Sequence, residues 1–328
     1  DFHTSYVTTS EHGPKRMFEV MKKYVWQTRN GAVKRIEDVS LSEKDKNHFV
    51  YNASATKGLI PLLMNIWPEV KRRIPSAKLT CIGGFYRFRE GAAPDAQEQT
   101  VRDLMANPNI LNMGVTFTGV IDQNKIASIL ANASFMLYPT EFPETFGISS
   151  LESLLYRTPI ITSNFGALEE TAVDLACYKV DYPAVPNSLF PRVDASVQTQ
   201  KFVDATVNAY YDTYLHQQKQ NYCDVVADVA GWDTVALQWK QHFYSKLNVP
   251  LPVYEYVEVS RINSKVARVF GRRFLNAEET SEYKSYGPQK KIVVISPFWN
   301  AENYIEHSIL SVAQQNYDNY EHVLIDDA

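Results

Sequence analysis

The most informative stretch of the chain is a pair of glutamates with an aromatic-glycine step between them. It reads Glu144-Thr145-Phe146-Gly147-Ile148-Ser149-Ser150-Leu151-Glu152. We predict that a helix begins near Gly147, which leaves Glu144 in the loop before the helix and puts Glu152 in its second turn. The two carboxylates then lie about 5 to 9 Å apart along the axis, at ~1.5 Å per residue. Such a pair can contact two parts of one ligand.

The start of that helix indicates what the ligand carries. We expect the free N–H groups of Phe146, Gly147 and Ile148 to point out of the first turn, where the helix dipole favours an anion such as phosphate. Carboxylates repel a phosphate, so the two glutamates are better suited to accept hydrogen bonds from hydroxyls. Phosphate together with hydroxyls suggests a sugar nucleotide. Taken alone, two glutamates at this spacing are also common on solvated helix faces.

Apolar runs alternate with helical patterns along the first two thirds of the chain. The pattern predicts strands over 48–52, 79–83, 115–118 and 135–138, and helices over 57–73, 97–106 and 123–131. This alternation is typical of a Rossmann-like α/β fold, with a parallel sheet covered by helices on both faces. Longer helices are predicted over 197–217 and 232–247.

Polar and glycine residues follow the predicted strands, where ligands bind in such sheets. They are Lys57, Gly83-Gly84, Gly119-Val120 and Glu144, and we expect them to line one cleft. Lys57 precedes Gly58 at a helix start, where the dipole disfavours a cation, so a functional lysine is the better explanation. The sequence has no GxGxxG fingerprint and no GxxxxGK[ST] loop, which argues against nicotinamide and P-loop sites.

Composition is that of a water-soluble enzyme. The chain has 328 residues, of which 45% are hydrophobic, and a net charge of −4, which argues against general nucleic-acid binding. No apolar run approaches the ~18 residues of a membrane span, so no integral membrane segment is predicted. Three widely spaced cysteines give no metal-ligand pattern and favour a cytoplasmic location.

An ordered series of motifs resembles the C-terminal, donor-binding half of a GT-B glycosyltransferase of the retaining family four. The resemblance runs from His48 to about Leu247. Its landmarks are Ala55-Thr56-Lys57-Gly58, Cys81-Ile82-Gly83-Gly84, Val115-Thr116-Phe117-Thr118-Gly119-Val120, Ala133 to Pro139, Glu144 to Glu152, Thr158-Pro159-Ile160-Ile161 and Gly166-Ala167-Leu168-Glu169-Glu170.

The resemblance implies a hexosyl-type transfer from a nucleotide sugar to a glycan or other acceptor, with retention and without a metal, as in polysaccharide biosynthesis. Lys57 and the N–H groups of Phe146, Gly147 and Ile148 would stabilise the departing diphosphate. Glu144 would hold the sugar hydroxyls and Glu152 the ribose. UDP-, GDP- and ADP-sugars all remain open as donors.

One position departs from the family pattern. The family usually carries an arginine five residues before the lysine, as a second cation on the diphosphate, and this chain has Asn52 there. Loss of a bidentate contact weakens donor binding or changes which donor is used.

A second resemblance begins after the linker. Residues 291–302 are similar to the opening strand and loop of a family-two GT-A glycosyltransferase. A predicted helix over 308–316 and a second strand over 320–327 follow, as at the start of that family. Pro297, Asn300, Asp326 and Asp327 would bind the nucleotide of a second donor, and a full domain of this kind can use a divalent metal.

The predicted organisation therefore has four parts within a longer multidomain enzyme. They are a remnant of an N-terminal GT-B domain or interdomain segment over 1–44, the donor-binding domain over 45–247, a basic linker over 248–290, and the truncated start of a GT-A domain over 291–328. Because fold does not fix chemistry, a sugar-nucleotide epimerase, a phosphorylase of GT-B fold and a non-catalytic nucleotide-sugar-binding scaffold are alternatives.

Overall fold

A six-stranded parallel sheet organises most of the chain. The computed structural model describes residues 28–36, 39–83, 96–142, 144–181, 195–247, 261–263, 265–266, 268–270, 292–298 and 320–326. These residues fall into two compact units, the first reaching to Gln238 and including those from 261 to 270, and the second holding the rest. The sheet belongs to the first unit.

The strands of this sheet follow the order β3-β2-β1-β4-β5-β6. They are β1 (Asp45–Asn52), β2 (Lys78–Ile82), β3 (Val115–Gly119), β4 (Ala133–Tyr138), β5 (Ile160–Ser163) and β6 (Tyr178–Val180). All neighbouring pairs are parallel. This order is that of a Rossmann-like fold and confirms the predicted α/β class.

Helices connect the strands. They are α1 (Leu59–Pro61, a π-helical turn Leu62–Ile66, and Trp67–Arg73), α2 (Ala96–Ala106), α3 (Pro108–Asn112), α4 (Gln123–Asn132), α5 (Ile148–Leu155), α6 (Leu168–Thr171), α7 (Ala195–Tyr211), α8 (Thr213–Ala230) and α9 (Trp232–Leu247). Within the described part of the chain, no helix is long and apolar enough to cross a membrane.

The centre of the sheet is buried on both faces. Every residue of β4 is buried, as expected for an inner strand of a parallel sheet. Phe49 of β1 pairs with Phe135 of β4 in register, and their rings stack with centroids 4.8 Å apart. Trp67 packs edge-on against Phe49, which joins α1 to the same core. The β1–β4 pair therefore lies at the centre of the core.

The predicted helix over 197–217 is wrong. The structure breaks it at Asp212, whose carboxylate accepts a hydrogen bond from the N–H of Leu215 at 2.9 Å and caps a new helix, α8. Aspartate at an N-cap satisfies one of the free donors of a first turn. The apolar pattern continues across the break, so periodicity alone did not reveal it.

The second unit contains two parallel strands, β7 (Ile292–Phe298) and β8 (Tyr320–Asp326). They pair in continuous register from Ile292 with Tyr320 to Phe298 with Asp326. Both strands were predicted. The predicted helix over 308–316 lies outside the described residues.

The turn after β1 touches the segment after β4. Gly58 has a φ of 99°, and a Cβ placed there would lie 2.4 Å from the carbonyl oxygen of Pro139. A glycine is required for both reasons, because a side chain would be strained by the backbone angle and would overlap the neighbouring backbone. The chain therefore bends at Gly58, and α1 begins at Leu59 and not at Lys57 as predicted.

We predict that Gly58→Ala lowers the free energy of unfolding by about 3 kcal/mol or more, because backbone overlap adds to the conformational strain. Gly119→Ala is the matched control: its φ of 64° is also positive, but no atom lies within 4 Å of the added Cβ. It should cost only about 1 to 2 kcal/mol. Urea unfolding of both variants measures the difference, and equal losses would contradict the proposed close contact.

Candidate functional site

A cavity of about 230 Å³ lies at the carboxyl ends of β1 and β4, where the strand order reverses. Ligands of open α/β sheets bind at this point. Its lining residues are Asn30, Ala53, Ser54, Lys57, Tyr138, Glu144, Thr145, Phe146, Gly147, Ile148 and Ser149. The structure thus brings Lys57 to Glu144 and the start of α5, although Lys57 lies 87 positions before Glu144 in the sequence.

Lys57 and Glu144 form an ion pair inside this cavity. The Nζ of Lys57 lies 2.8 Å from Oε1 of Glu144, and the side chains are 28% and 8% exposed respectively. The same ammonium lies 4.5 Å from the centroid of the Phe142 ring. A charge-assisted bond in a partly dry site is stronger than one at the surface. The cation is therefore held beside the acid while part of it stays accessible.

A buried tyrosine fixes the loop that carries the lysine. The hydroxyl of Tyr51 lies 2.7 Å from the carbonyl oxygen of Ser54 and 2.9 Å from that of Lys57, and donates to this pair of acceptors. Burial raises the pKa of Tyr51 well above its usual value, so the phenol keeps its proton and remains a donor. The backbone of Lys57 is tied to β1 as a result.

The helix α5 points its N-terminus at the cavity. Gly147 is its N-cap with a φ of 80°, and an added Cβ would lie 2.9 Å from Cδ2 of Leu168. The first-turn N–H groups are those of Ile148, Ser149 and Ser150, of which Ser150 already donates to the carbonyl of Gly147. All three residues of the predicted anion-binding set, Phe146, Gly147 and Ile148, line the cavity, and Ile148 is the first residue of α5. The side chain of Phe146 is buried in the core.

The loop before α5 is anchored from the far side. The N–H of Ala167 donates to the carbonyl of Glu144 at 2.9 Å, and the hydroxyl of Thr171 donates to that of Phe146 at 2.6 Å. These two bonds connect the loop to α6 and the turn before it. The carboxylate of Glu144 therefore projects from a fixed backbone.

Glu152 lies in the second turn of α5, as predicted, and Asn52 contacts it. Burial raises the pKa of Glu152, while a hydrogen bond from the Asn52 amide and the nearby charge of Arg35 act in the opposite direction. Asn52 is buried at the end of β1. Asn52, which stands where the resembled family has an arginine, therefore donates a hydrogen bond to Glu152 in this chain.

The predicted glycine positions line a second cavity. This cavity, of about 350 Å³, is mainly apolar and includes Gly83, Gly119, Phe117 and Met105. It shares Ala53 with the first cavity, so the two are neighbours. Val120 is 87% exposed beyond β3. Gly84 lies outside the described residues.

The structure describes two of the four residues predicted for a second donor site. Pro297 lies on β7 and Asp326 ends β8, with Pro297 paired to Ile325. Asn300 and Asp327 lie outside the described residues. In the described part of the chain, no group of three or more histidine, cysteine, aspartate or glutamate residues could hold a metal ion.

Sequence reasoning missed three residues at the first cavity. Tyr138 donates its hydroxyl to Oε1 of Glu144, and Phe142 carries the ring beneath Lys57. Asn30 arrives from a segment next to α9, where a Cβ on Gly31 would lie 2.8 Å from the backbone of Trp232. The Asn30-Gly31 dipeptide is a turn signal that could have drawn attention to this segment.

The segment that contains this site matches a known protein family. Residues 48–184 match the family described as "Glycosyl transferases group 1". The matched residues include Lys57, Glu144 and Glu152. No curated protein matches the sequence.

Two solved structures are similar in fold. The pneumococcal O-GlcNAc transferase GtfA, solved with UDP and GlcNAc, matches with a TM-score of 0.51 at 12% identity, over 71% of this chain and 43% of that one. Sucrose-phosphate synthase from Thermosynechococcus elongatus matches with a TM-score of 0.51 at 19% identity, over 70% and 56%. The chain spans about half the length of these proteins, and the likeness shows that they share a Rossmann-like α/β fold.

The raised pKa of Glu152 leads to a stability prediction. The ordinary value is 4.5, so in the window above it the folded state binds more protons than the unfolded state, and stability falls as pH rises. We expect Glu152→Gln to remove this fall, because glutamine does not ionise. Asn52→Ala should make stability fall further with pH, because loss of the Asn52 donor raises the pKa of Glu152 further.

Urea unfolding between about pH 4 and 7 tests this with the two single variants and the double variant. The effect of Asn52→Ala on the pH slope should vanish in the Glu152→Gln background, as required for residues coupled to each other. An additive double variant would contradict the proposed contact.

Proposed function

We propose that the chain carries the donor-binding half of a glycosyltransferase of retaining family four, which moves a sugar from a nucleotide sugar to a glycan or other acceptor. The observation that carries this proposal is the Lys57–Glu144 pair beside the N-terminus of α5, at the point where the strand order reverses. A cation and free N–H groups suit a diphosphate, and the carboxylate next to them suits sugar hydroxyls. The family match over residues 48–184 supports this assignment.

In the proposed reaction, the bond between the anomeric carbon and the diphosphate oxygen breaks. The acceptor oxygen bonds to the same face of the sugar, and its proton passes to the departing diphosphate. Negative charge grows on the departing diphosphate. Lys57 and the N–H groups of Ile148 and Ser149 would stabilise this charge. Electrostatic stabilisation by fixed donors is usually the largest single contribution to catalysis. No metal ion is needed for these steps.

Glutamates would hold the two hydroxyl-bearing parts of the donor. Glu144 lines the cavity beside Lys57 and would accept bonds from the sugar. Glu152, in the second turn of α5, would accept hydrogen bonds from the ribose. The UDP-, GDP- and ADP-sugars are the donor candidates.

The remaining parts of the proposal concern the rest of the protein. We propose that residues 1–44 belong to the preceding GT-B domain or to the interdomain segment, 45–247 to the donor domain, 248–290 to a linker and 291–328 to the start of a GT-A domain. Pro297, Asn300, Asp326 and Asp327 would then contribute to a second donor site, where a full domain can use a divalent metal. The enzyme would be a cytoplasmic, multidomain enzyme of polysaccharide biosynthesis.

Thermal and urea unfolding of the chain with UDP, GDP, ADP and their sugar conjugates tests the function. One nucleotide at about 100 times its dissociation constant should add ~2.7 kcal/mol of stability. Glu152→Ala should weaken binding of that nucleotide by about 10- to 100-fold, as expected for loss of a charged hydrogen bond. The control Glu69→Ala removes an exposed glutamate of α1 and should not change binding.

Product analysis distinguishes the chemistries that share this fold. A transferase releases the nucleoside diphosphate when an acceptor is added, whereas an epimerase forms a new nucleotide sugar without releasing it. Binding without either reaction would favour a scaffold. Absence of binding to every nucleotide would contradict the donor site in this chain.

A further inference from the structure

The two oxygens of the Glu144 carboxylate have different surroundings. Oε1 accepts hydrogen bonds from the ammonium of Lys57 and from the hydroxyl of Tyr138. In the part of the chain that the structure describes, no donor contacts Oε2. Glu144 also lines the cavity at the head of α5. One oxygen is therefore occupied by the protein, and the other remains free to accept from a ligand.

Tyr138 is a rigid donor to this carboxylate. It is 1% exposed at the end of β4, and its ring lies edge-on to that of Tyr51, with centroids 6.2 Å apart. Burial and the neighbouring carboxylate raise the pKa of Tyr138 far above its usual value, so the phenol stays protonated. A phenol has a single proton, and here that proton goes to Glu144.

Lys57 is the less permanent of the two donors. Its side chain is 28% exposed, and in the proposed function its ammonium also serves the donor diphosphate. An ammonium that turns toward the phosphate loosens its hold on Oε1. The buried phenol of Tyr138 has no such competing role, so it is the contact that can keep the carboxylate in one orientation while a ligand binds.

We propose that Tyr138 is a positioning residue for sugar recognition: its hydroxyl holds Oε1 of Glu144 so that Oε2 accepts hydrogen bonds from the hydroxyls of a pyranose. This inference rests on the proposed function and adds a residue that acts on the sugar through Glu144. Its effect is confined to the part of the ligand that Glu144 contacts. The nucleoside diphosphate without a sugar should not report on it.

The test measures what the sugar adds to binding. For the chain and its variants, calorimetry gives dissociation constants for UDP, GDP and ADP and for their glucose, galactose, mannose and N-acetylglucosamine conjugates. We define the sugar increment as the dissociation constant of the bare nucleotide divided by that of its tightest-binding sugar conjugate. Tyr138→Phe keeps the ring and removes the hydroxyl, and should reduce this ratio about ten-fold while binding of the bare nucleotide stays within two-fold.

Two further variants separate positioning from a general structural effect. Tyr178→Phe removes another tyrosine hydroxyl, one that contacts His216 from β6, two strands away from β4, and should leave the sugar increment unchanged. In a Glu144→Ala background, Tyr138→Phe should have no additional effect on the ratio, because the carboxylate through which it acts is gone. Circular dichroism verifies that each variant is folded.

The outcomes distinguish this inference from the proposed function. If the unmodified chain binds a nucleotide sugar and Tyr138→Phe keeps its full sugar increment, the positioning role is wrong and the donor site stands. An equal weakening of bare and conjugated nucleotides would show a structural role only and overturn the inference. If the unmodified chain binds no nucleotide, or gains nothing from any sugar, the proposed function and this inference both fail.

Discussion

The pairing of β1 with β4 is the constraint on which the site depends. The strands are parallel and in register from Phe49 with Phe135 to Val50 with Met136, so their carboxyl ends meet at one edge of the sheet. Residues 87 positions apart, Lys57 and Glu144, are brought to 2.8 Å as a consequence. Gly58 permits this approach, since any side chain there would overlap Pro139. Steric exclusion and strand pairing together place a cation beside an acid.

Two buried tyrosines form hydrogen bonds that hold the Lys57–Glu144 pair. Tyr51 secures the backbone that carries Lys57, and Tyr138 contacts the carboxylate of Glu144 directly. Buried hydroxyls of this kind are costly to leave unpaired, which makes their partners well ordered. The charged groups that face the cavity are thus held by neutral groups that belong to the core.

The region around Glu152 shows how one substitution changes a site. Asn52 stands where the resembled family has an arginine, and here its amide serves the carboxylate of Glu152. A neutral amide offsets only part of the burial that raises the pKa of Glu152. The second cation expected on the diphosphate is thereby replaced at this position by a contact to an acid. Under the proposed function, binding of the diphosphate would depend on Lys57 and the start of α5 to a greater extent.

Sequence periodicity by itself determined the alternation of strands and helices, because buried parallel strands are continuously apolar and their covering helices are amphipathic. It also placed Glu144 before α5 and Glu152 in its second turn. The meeting of Lys57 with Glu144 and the position of Asn30 at the cavity came only from the tertiary structure, since both depend on contacts between distant segments. The cap at Asp212 and the bond from Tyr138 to Glu144 join residues close in sequence, but they depend on local backbone geometry that an apolar pattern does not specify. A local pattern carries no record of which partner a side chain will meet across the sheet.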